Sequence, residues 1–162
     1  YERYHHDVVG VNSRLDSIQA AKKKPKLPRL DGYNKARRDA AKKYNAAFKD
    51  IESITTPKMV SGCDSICDTC DCHVFHQYTL RIKGIDRDAL AKHLNENGIP
   101  CGVYYPIPLH KQKAYMDDRY NEADFPVTNQ LVKDVISLPM HTELDNEQIE
   151  FITSTIIKFI NG

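Results

Sequence analysis

A chain of 162 residues, 41% hydrophobic and 28% charged, has the composition of a globular protein able to bury a core, which excludes intrinsic disorder. Its net charge of +1 provides no general attraction to nucleic acid or to an anionic membrane surface. No apolar run approaches the roughly 20 residues of a spanning helix, and no signal peptide is visible, so a cytoplasmic location is expected. The chain opens on Tyr1 rather than methionine and reads as a processed product or a piece of something longer.

Residues 1–7 include Tyr4, His5 and His6 without a clear period. Adjacent histidines point apart on a strand and diverge by about 100° on a helix, which argues against a shared metal. From Val9 to Ala21 the text changes. Gly10 frees the backbone to turn, and Asn12 and Arg14 offer amide and guanidinium donors at the mouth of a helix expected to open near Ser13, a geometry suited to an anion such as phosphate. The plainer reading is a capped turn with a surface arginine. Leu15, Ile18 and Ala21 share one face of that helix. The run Lys22-Lys23-Lys24-Pro25-Lys26 is a solvated helix end favoured by the negative C-terminal dipole, a basic localisation or anion patch, or a solubilised face that has lost a partner domain. Pro28 is placed as the first-turn proline of a second helix, in which Leu30, Tyr33, Arg37, Ala40, Ala41, Tyr44, Phe48 and Ile51 recur at helical spacing. Thr55-Thr56-Pro57 ends the helical text.

Cys63, Cys67, Cys70 and Cys72 fall within ten residues, interleaved with aspartates. Thiolates at such spacings could ligate zinc or an iron–sulfur cluster, and Cys63, Cys67 and Cys70 reproduce the spacing of radical S-adenosylmethionine enzymes. The repeated strand–helix units of that barrel are missing, and a loop with free thiols is the expected state in a reducing cytosol. His73 to Ile82 alternates apolar and polar residues and predicts a strand with Val74, His76, Tyr78, Leu80 and Ile82 on one side. Asp86 can cap a helix through about Asn97 with Leu90 and Leu94 inward, Gly98 as its left-handed stop and Ile99 closing the apolar contact.

Gly102 to His110 predicts a strand running into a loop stiffened by Pro106 and Pro108, so that Tyr104, Tyr105 and His110 are held in place before any ligand arrives. A rigid surface loop with stacked aromatics is the simpler alternative. Phe125 to Met140 reads as a short helix feeding a strand that ends at Pro139. The last helix has a capping box, Asp145 with Gln148, and buries Ile149, Ile152, Ile156 and Phe159 or Ile160.

Three blocks in one order carry a family resemblance: Gly-x-Asn-Ser-Arg-Leu-Asp-x-Ile-Gln-Ala-Ala around Asn12, the His-x-Phe-His-Gln-Tyr strand at His73, and Tyr-Tyr-Pro-x-Pro-Leu-His from Tyr104 to His110 with Gln112 beyond it. The chain resembles pyridoxal-phosphate-dependent nucleotide-sugar aminotransferases of the DegT/StrS type over nearly its whole length. The resemblance implies an α/β fold: the C-terminal small domain of a fold-type-I aminotransferase, with a small, mainly antiparallel sheet covered by helices. That domain would occupy residues 54–162, preceded in 1–53 by a helical large-domain remnant with the phosphate-site turn. It implies transfer of an amino group from glutamate to a nucleotide-linked keto-sugar in surface polysaccharide biosynthesis by a homodimer whose sites are shared between subunits. Asn12, with Arg14 close by, would bind the cofactor phosphate, and Tyr104, Tyr105 and His110 would border the sugar nucleotide, for which a uridine carrier with an N-acetylated sugar is the expectation. Tyr104 stands where many relatives carry histidine. The Ser-x-x-x-x-Lys stretch bearing the Schiff-base lysine is not in this sequence, so no catalytic residue is assigned and the chain alone is expected to be inactive. The competing class is a non-catalytic binding module on the same scaffold, organised by a metal at the cysteine-rich stretch.

Overall fold

The computed structural model describes residues 3–58 and 73–162. Its centre is a three-stranded antiparallel sheet, β1 (Ile54–Thr55), β2 (Tyr78–Ile82) and β3 (Val135–Leu138), with β2 in the middle. Ile54 pairs with Ile82 on one side, and Tyr78 pairs with Leu138 on the other. Tyr78, Leu80 and Ile82 alternate inward and are fully buried, each contributing about 1.5–3 kcal/mol of burial. The expected strand was longer. Residues 73–77 are not strand, because Phe75 adopts a φ of +45° that breaks the alternation. Its ring is buried while Val74 and His76 stay exposed.

Helix α2 (Leu30–Phe48) packs on α5 (Asn146–Asn161), α3 (Arg87–Glu96) packs on α5 and reaches β3, and α4 (Pro126–Asp134) lies against β2. The predicted stripe of α2 buries through Ala40, Ala41, Tyr44 and Phe48, whereas Leu30 at its start remains exposed. These four belong to the same core as the sheet and α5, so the helical text before residue 53 and the α/β text after it share side-chain packing. Tyr44 stacks on Tyr78 at 4.8 Å between ring centroids. Both hydroxyls are satisfied: Tyr44 donates to the Pro139 carbonyl at 3.0 Å and Tyr78 to Asn45 Oδ1 at 2.5 Å. Burial raises both phenol pKa values above their ordinary range, and for Tyr78 the neighbouring Tyr44 adds to the rise.

Local chemistry sets the helix ends of the C-terminal half. Asp86 accepts from the Asp88 and Ala89 N–H groups. At the other end of α3, Gly98 takes a φ of +73°, its N–H donating to the Asn95 carbonyl at 3.0 Å and that of Ile99 to the Leu94 carbonyl at 2.9 Å. This is the Schellman pattern, with Ile99 buried against the helix it closes. The Asp145 and Gln148 side chains form the expected capping box on α5.

The amino-terminal quarter departs from expectation. Helix α1 (Ser17–Lys23) opens four residues later than Ser13, because Asp16 caps it by accepting from the Gln19 N–H at 2.7 Å. Pro28 lies inside a 3-10 helix, Lys24–Arg29, that joins α1 to α2 without a break. Leu15, Ile18 and Leu27 are exposed. Cys63, Cys67, Cys70 and Cys72 lie outside the described residues.

Candidate functional site

The loop after α3 begins with a fixed point. Gly102 makes a two-way bridge to β3, its N–H donating to the Ser137 carbonyl at 3.1 Å and its carbonyl accepting from the Ser137 N–H at 2.7 Å. This isolated bridge stands in place of the expected strand. The Tyr104 ring lies directly on Gly102: a Cβ there would come within 2.7 Å of Tyr104 Cζ. Only the missing side chain of glycine allows this approach.

Beyond that point, Tyr104, Tyr105, Ile107, Pro108 and Leu109 form one wall of a cleft of about 430 Å³, with Thr128, Leu131 and Val132 of α4 and Val135 of β3 opposite. Tyr4 and His6 complete the lining together with Gln112. The Tyr4 ring meets Tyr104 edge-on at 6.3 Å and Tyr105 at 5.7 Å, and the latter two meet each other at 5.9 Å. Such edge-to-face arrangements are attractive and hold the three rings together. The Arg3 guanidinium sits 4.9 Å over the Tyr4 ring. Tyr104 also lines a second cleft of about 380 Å³ with His76, Gln77, Cys101 and His141. Burial pushes the Cys101 thiol pKa up, the Asn95 amide partly offsetting this.

Of the residues singled out from sequence, the structure brings Tyr104 and Tyr105 together in the cleft. His110 stands apart from that lining: its ring stacks on Phe125 at 4.4 Å and 17°, with Nε2 buried and unpartnered among the described residues. The turn that follows is stiffened by a Lys111–Glu122 ion pair, whose ammonium holds the Glu122 carboxyl below the ordinary carboxylate range.

Asn12 and Arg14 lie on the exposed arm before α1. They touch each other, Arg14 Nε donating to Asn12 Oδ1 at 3.1 Å. This bond engages the one acceptor of the amide and leaves Asn12 Nδ2 and the terminal guanidinium nitrogens as donors, a set that fits a phosphate dianion. The fit belongs to side chains, not to the helix mouth. The Gln19 amide in the first turn of α1 is served by the Asp16 carboxylate, which would repel an anion there. Among the described residues no group of three or more His, Cys, Asp or Glu side chains could hold a metal ion.

Tyr4 and Gln112 were not foreseen as site residues. Gln112 has one sequence signal, its place two residues after His110 in the Tyr-Pro-x-Pro-Leu-His block; Tyr4 lies in a stretch with no period at all.

Comparison with known proteins places these features in a family context. The model of the DegT/DnrJ/EryC1/StrS aminotransferase family matches residues 1–157. The chain is 39% identical to a "Pleiotropic regulatory protein" of Geobacillus stearothermophilus over 97% of its own length and 40% of that protein's. It is 37% identical to a UDP-N-acetyl-3-dehydro-alpha-D-glucosamine 3-aminotransferase of Acidithiobacillus ferrooxidans, covering 100% of this chain and 40% of the relative. Among solved structures, a DegT DnrJ EryC1 StrS aminotransferase from Brucella abortus superposes with a TM-score of 0.75 at 34% identity, over 98% of this chain and 39% of that one. The chain thus spans about two-fifths of the length of the curated relatives it matches.

Proposed function

The chain belongs to the DegT/DnrJ/EryC1/StrS aminotransferase family, and from that premise we propose that it is the C-terminal part of an enzyme that moves an amino group from glutamate to a nucleotide-linked keto-sugar. The observation that carries this reading is the presence in one chain of a phosphate-suited donor set, Asn12 with Arg14 on the exposed arm, and an aromatic cleft at Tyr104 and Tyr105. Pyridoxal phosphate, when bound, supplies the electron sink for amino transfer.

The residues present have work that does not depend on further detail of that chemistry. Asn12 and Arg14 hold the cofactor phosphate, the amide through Nδ2 and the guanidinium as a charged partner that offsets the dianion. Tyr104 and Tyr105 present ring faces and hydroxyls to the sugar nucleotide, and the apolar floor from α4 and β3 keeps water from its far side. His110 is assigned to the border of the same ligand by the family resemblance; in this structure its ring is fixed by the stack on Phe125, outside the lining that Tyr104 and Tyr105 share. Residues 1–53 belong with the cofactor-binding part and 54–162 form the small domain, joined through the buried face of α2. The enzyme is a cytoplasmic homodimer in which the arm bearing Asn12 serves the neighbouring subunit's site. It acts in surface polysaccharide biosynthesis, and a uridine-linked N-acetylated sugar is the favoured substrate.

The lysine that links to the cofactor lies in text outside this sequence, so the chain alone does not transaminate. The test is to assay two proteins with glutamate and a UDP-linked 3-keto-N-acetylhexosamine: this chain, and the same chain joined to its upstream region. Amino-sugar formation by the longer protein alone supports the reading; formation by this chain alone overturns its inactivity. A longer protein that binds no pyridoxal phosphate, or a chain carrying tight stoichiometric zinc, would favour a binding module instead.

A further inference from the structure

Gln112 is only 5% exposed, and both ends of its side-chain amide are engaged by main chain far upstream. Its Nε2 donates to the Tyr4 carbonyl at 2.8 Å, and its Oε1 accepts from the His6 N–H at 3.0 Å. The contact continues as a short backbone pairing, the Ala114 N–H donating to the His6 carbonyl at 2.9 Å, with the Lys113 ammonium 3.2 Å from the Asp7 carboxylate. A side-chain amide offers the same donor and acceptor as a peptide unit, so Gln112 stands in for a strand residue and receives residues 4–6 against the loop. Tyr4 itself has a φ of +69°, a region that side-chain-bearing residues seldom occupy. Without partners on both sides, the segment would relax out of it and carry the ring away.

We propose that Gln112 is a positioning residue of the cleft: its amide fixes Tyr4 as the third ring of the aromatic wall, and Tyr4 is a further residue that touches the nucleotide sugar. The identity of the ligand rests on the aminotransferase reading; the clamp does not. Gln112 touches no ligand. It acts through the Tyr4 carbonyl and the His6 amide, which determine whether the Tyr4 ring stands beside Tyr104 and Tyr105 or swings into solvent. A buried amide with both ends satisfied is costly to replace by an apolar group, because two half-buried hydrogen bonds to the main chain are then lost together.

The test uses the full-length enzyme with the variants Gln112→Leu, Tyr4→Ala and their combination. Amide hydrogen exchange is followed at His6, and UDP-N-acetylglucosamine and dTDP-glucose are titrated as binding probes. In Gln112→Leu the His6 amide should exchange at least tenfold faster while amides of α3 and α5 keep their wild-type rates. Affinity for the probe the wild type prefers should fall about tenfold in Gln112→Leu, by a similar factor in Tyr4→Ala, and no further in the double variant. Far-UV circular dichroism and the pyridoxal phosphate content of the purified variants should match wild type, which a general loss of structure would not allow. If Gln112→Leu does not fold, Gln112→Asn, one methylene too short to reach both main-chain groups, takes its place. Unchanged exchange at His6 overturns the clamp, and additive losses in the double variant overturn the link between the two residues. Binding of neither probe by the wild type sinks the aminotransferase reading and the ligand role of Tyr4, while the exchange at His6 still decides the clamp.

Discussion

Adding one methyl group at Gly102 tests whether the cleft wall is set by a backbone that cannot move. In Gly102→Ala the new Cβ would lie 2.7 Å from Tyr104 Cζ and Oη and 2.9 Å from Cε2. Carbon atoms are at ease near 3.5–4.0 Å, so the overlap is about 1 Å. The glycine backbone is held at both its N–H and its carbonyl by Ser137, which leaves the ring as the part that gives way. The ring is 36% exposed and can swing outward, but it then leaves its edge contacts with Tyr4 and Tyr105. Two aromatic contacts of about 0.5–1.5 kcal/mol each, less roughly 0.4–1 kcal/mol gained because alanine has fewer unfolded conformations, leave a net loss of about 1 kcal/mol. Urea denaturation should show that loss, and the titration of a nucleotide sugar into the full-length enzyme a larger proportional one, since the wall itself is displaced. The decisive arm is the Tyr104→Ala background, where the added methyl meets no ring and should be neutral or slightly stabilising. An equal destabilisation in both backgrounds would refute the account and point to the backbone.

The remaining expectations concern the phosphate arm, the acid limb of stability and a helix stop. In the full-length enzyme, Asn12→Ala removes a neutral donor to a charged acceptor and should cost about 1.5–3 kcal/mol, one to two decades of pyridoxal phosphate affinity, with the fold intact. A hybrid dimer carrying Asn12→Ala in one subunit and no cofactor-linking lysine in the other should keep about half of wild-type activity if the amide acts across the subunit boundary; near-complete loss would place it within its own subunit. Burial alone would push the Asp134 carboxyl up, but hydrogen bonds from Arg81 at 3.0 Å and Gln130 at 2.7 Å, with the charges of Arg81 and Lys83, hold it below its ordinary value. Stability from this group is therefore present above the ordinary carboxylate pKa of about 3.9 and is lost as pH falls through the depressed folded value, so Asp134→Asn should flatten the acid limb of a stability–pH curve; an unchanged limb would count against the pair. Gly98→Ala, at a φ of +73°, should destabilise by about 1–2 kcal/mol in thermal unfolding, and a neutral result would mean that the helix stop relaxes freely.

What could be read from the sequence was local. Asp86, Gly98, Ile99, Asp145 and Gln148 act within one or two turns of their own position, and the structure uses each as its residue type suggests. The strand from His73 was half legible: Tyr78, Leu80 and Ile82 keep the alternation, but the positive φ of Phe75 turns the chain so that the off-phase aromatic enters the core. At the amino terminus the helix was expected to open near Ser13, and the choice of cap was not legible. Asp16 is the cap, and the phosphate donors are left on irregular chain before it. The prolines after Gly102 marked Tyr104 and Tyr105, because stiff text with aromatics is visible without a partner. Tyr4 and Gln112 meet across 108 positions, a separation at which residue pattern carries no information about contact.

The central place of β2 also shapes how the chain must fold. Its pairing with β1 and its pairing with β3 are unequal in reach, the hydroxyls of Thr79 and Ser137 meeting across 58 intervening steps of sequence. Closing so long a loop is entropically slow, and only then can Tyr78, Leu80 and Ile82 find both neighbours. Until β3 arrives, one edge of β2 is an open row of amides and carbonyls beside a strongly apolar face, the combination that recruits other chains. The protein is therefore most exposed to aggregation late in synthesis, before residues 135–138 have left the ribosome.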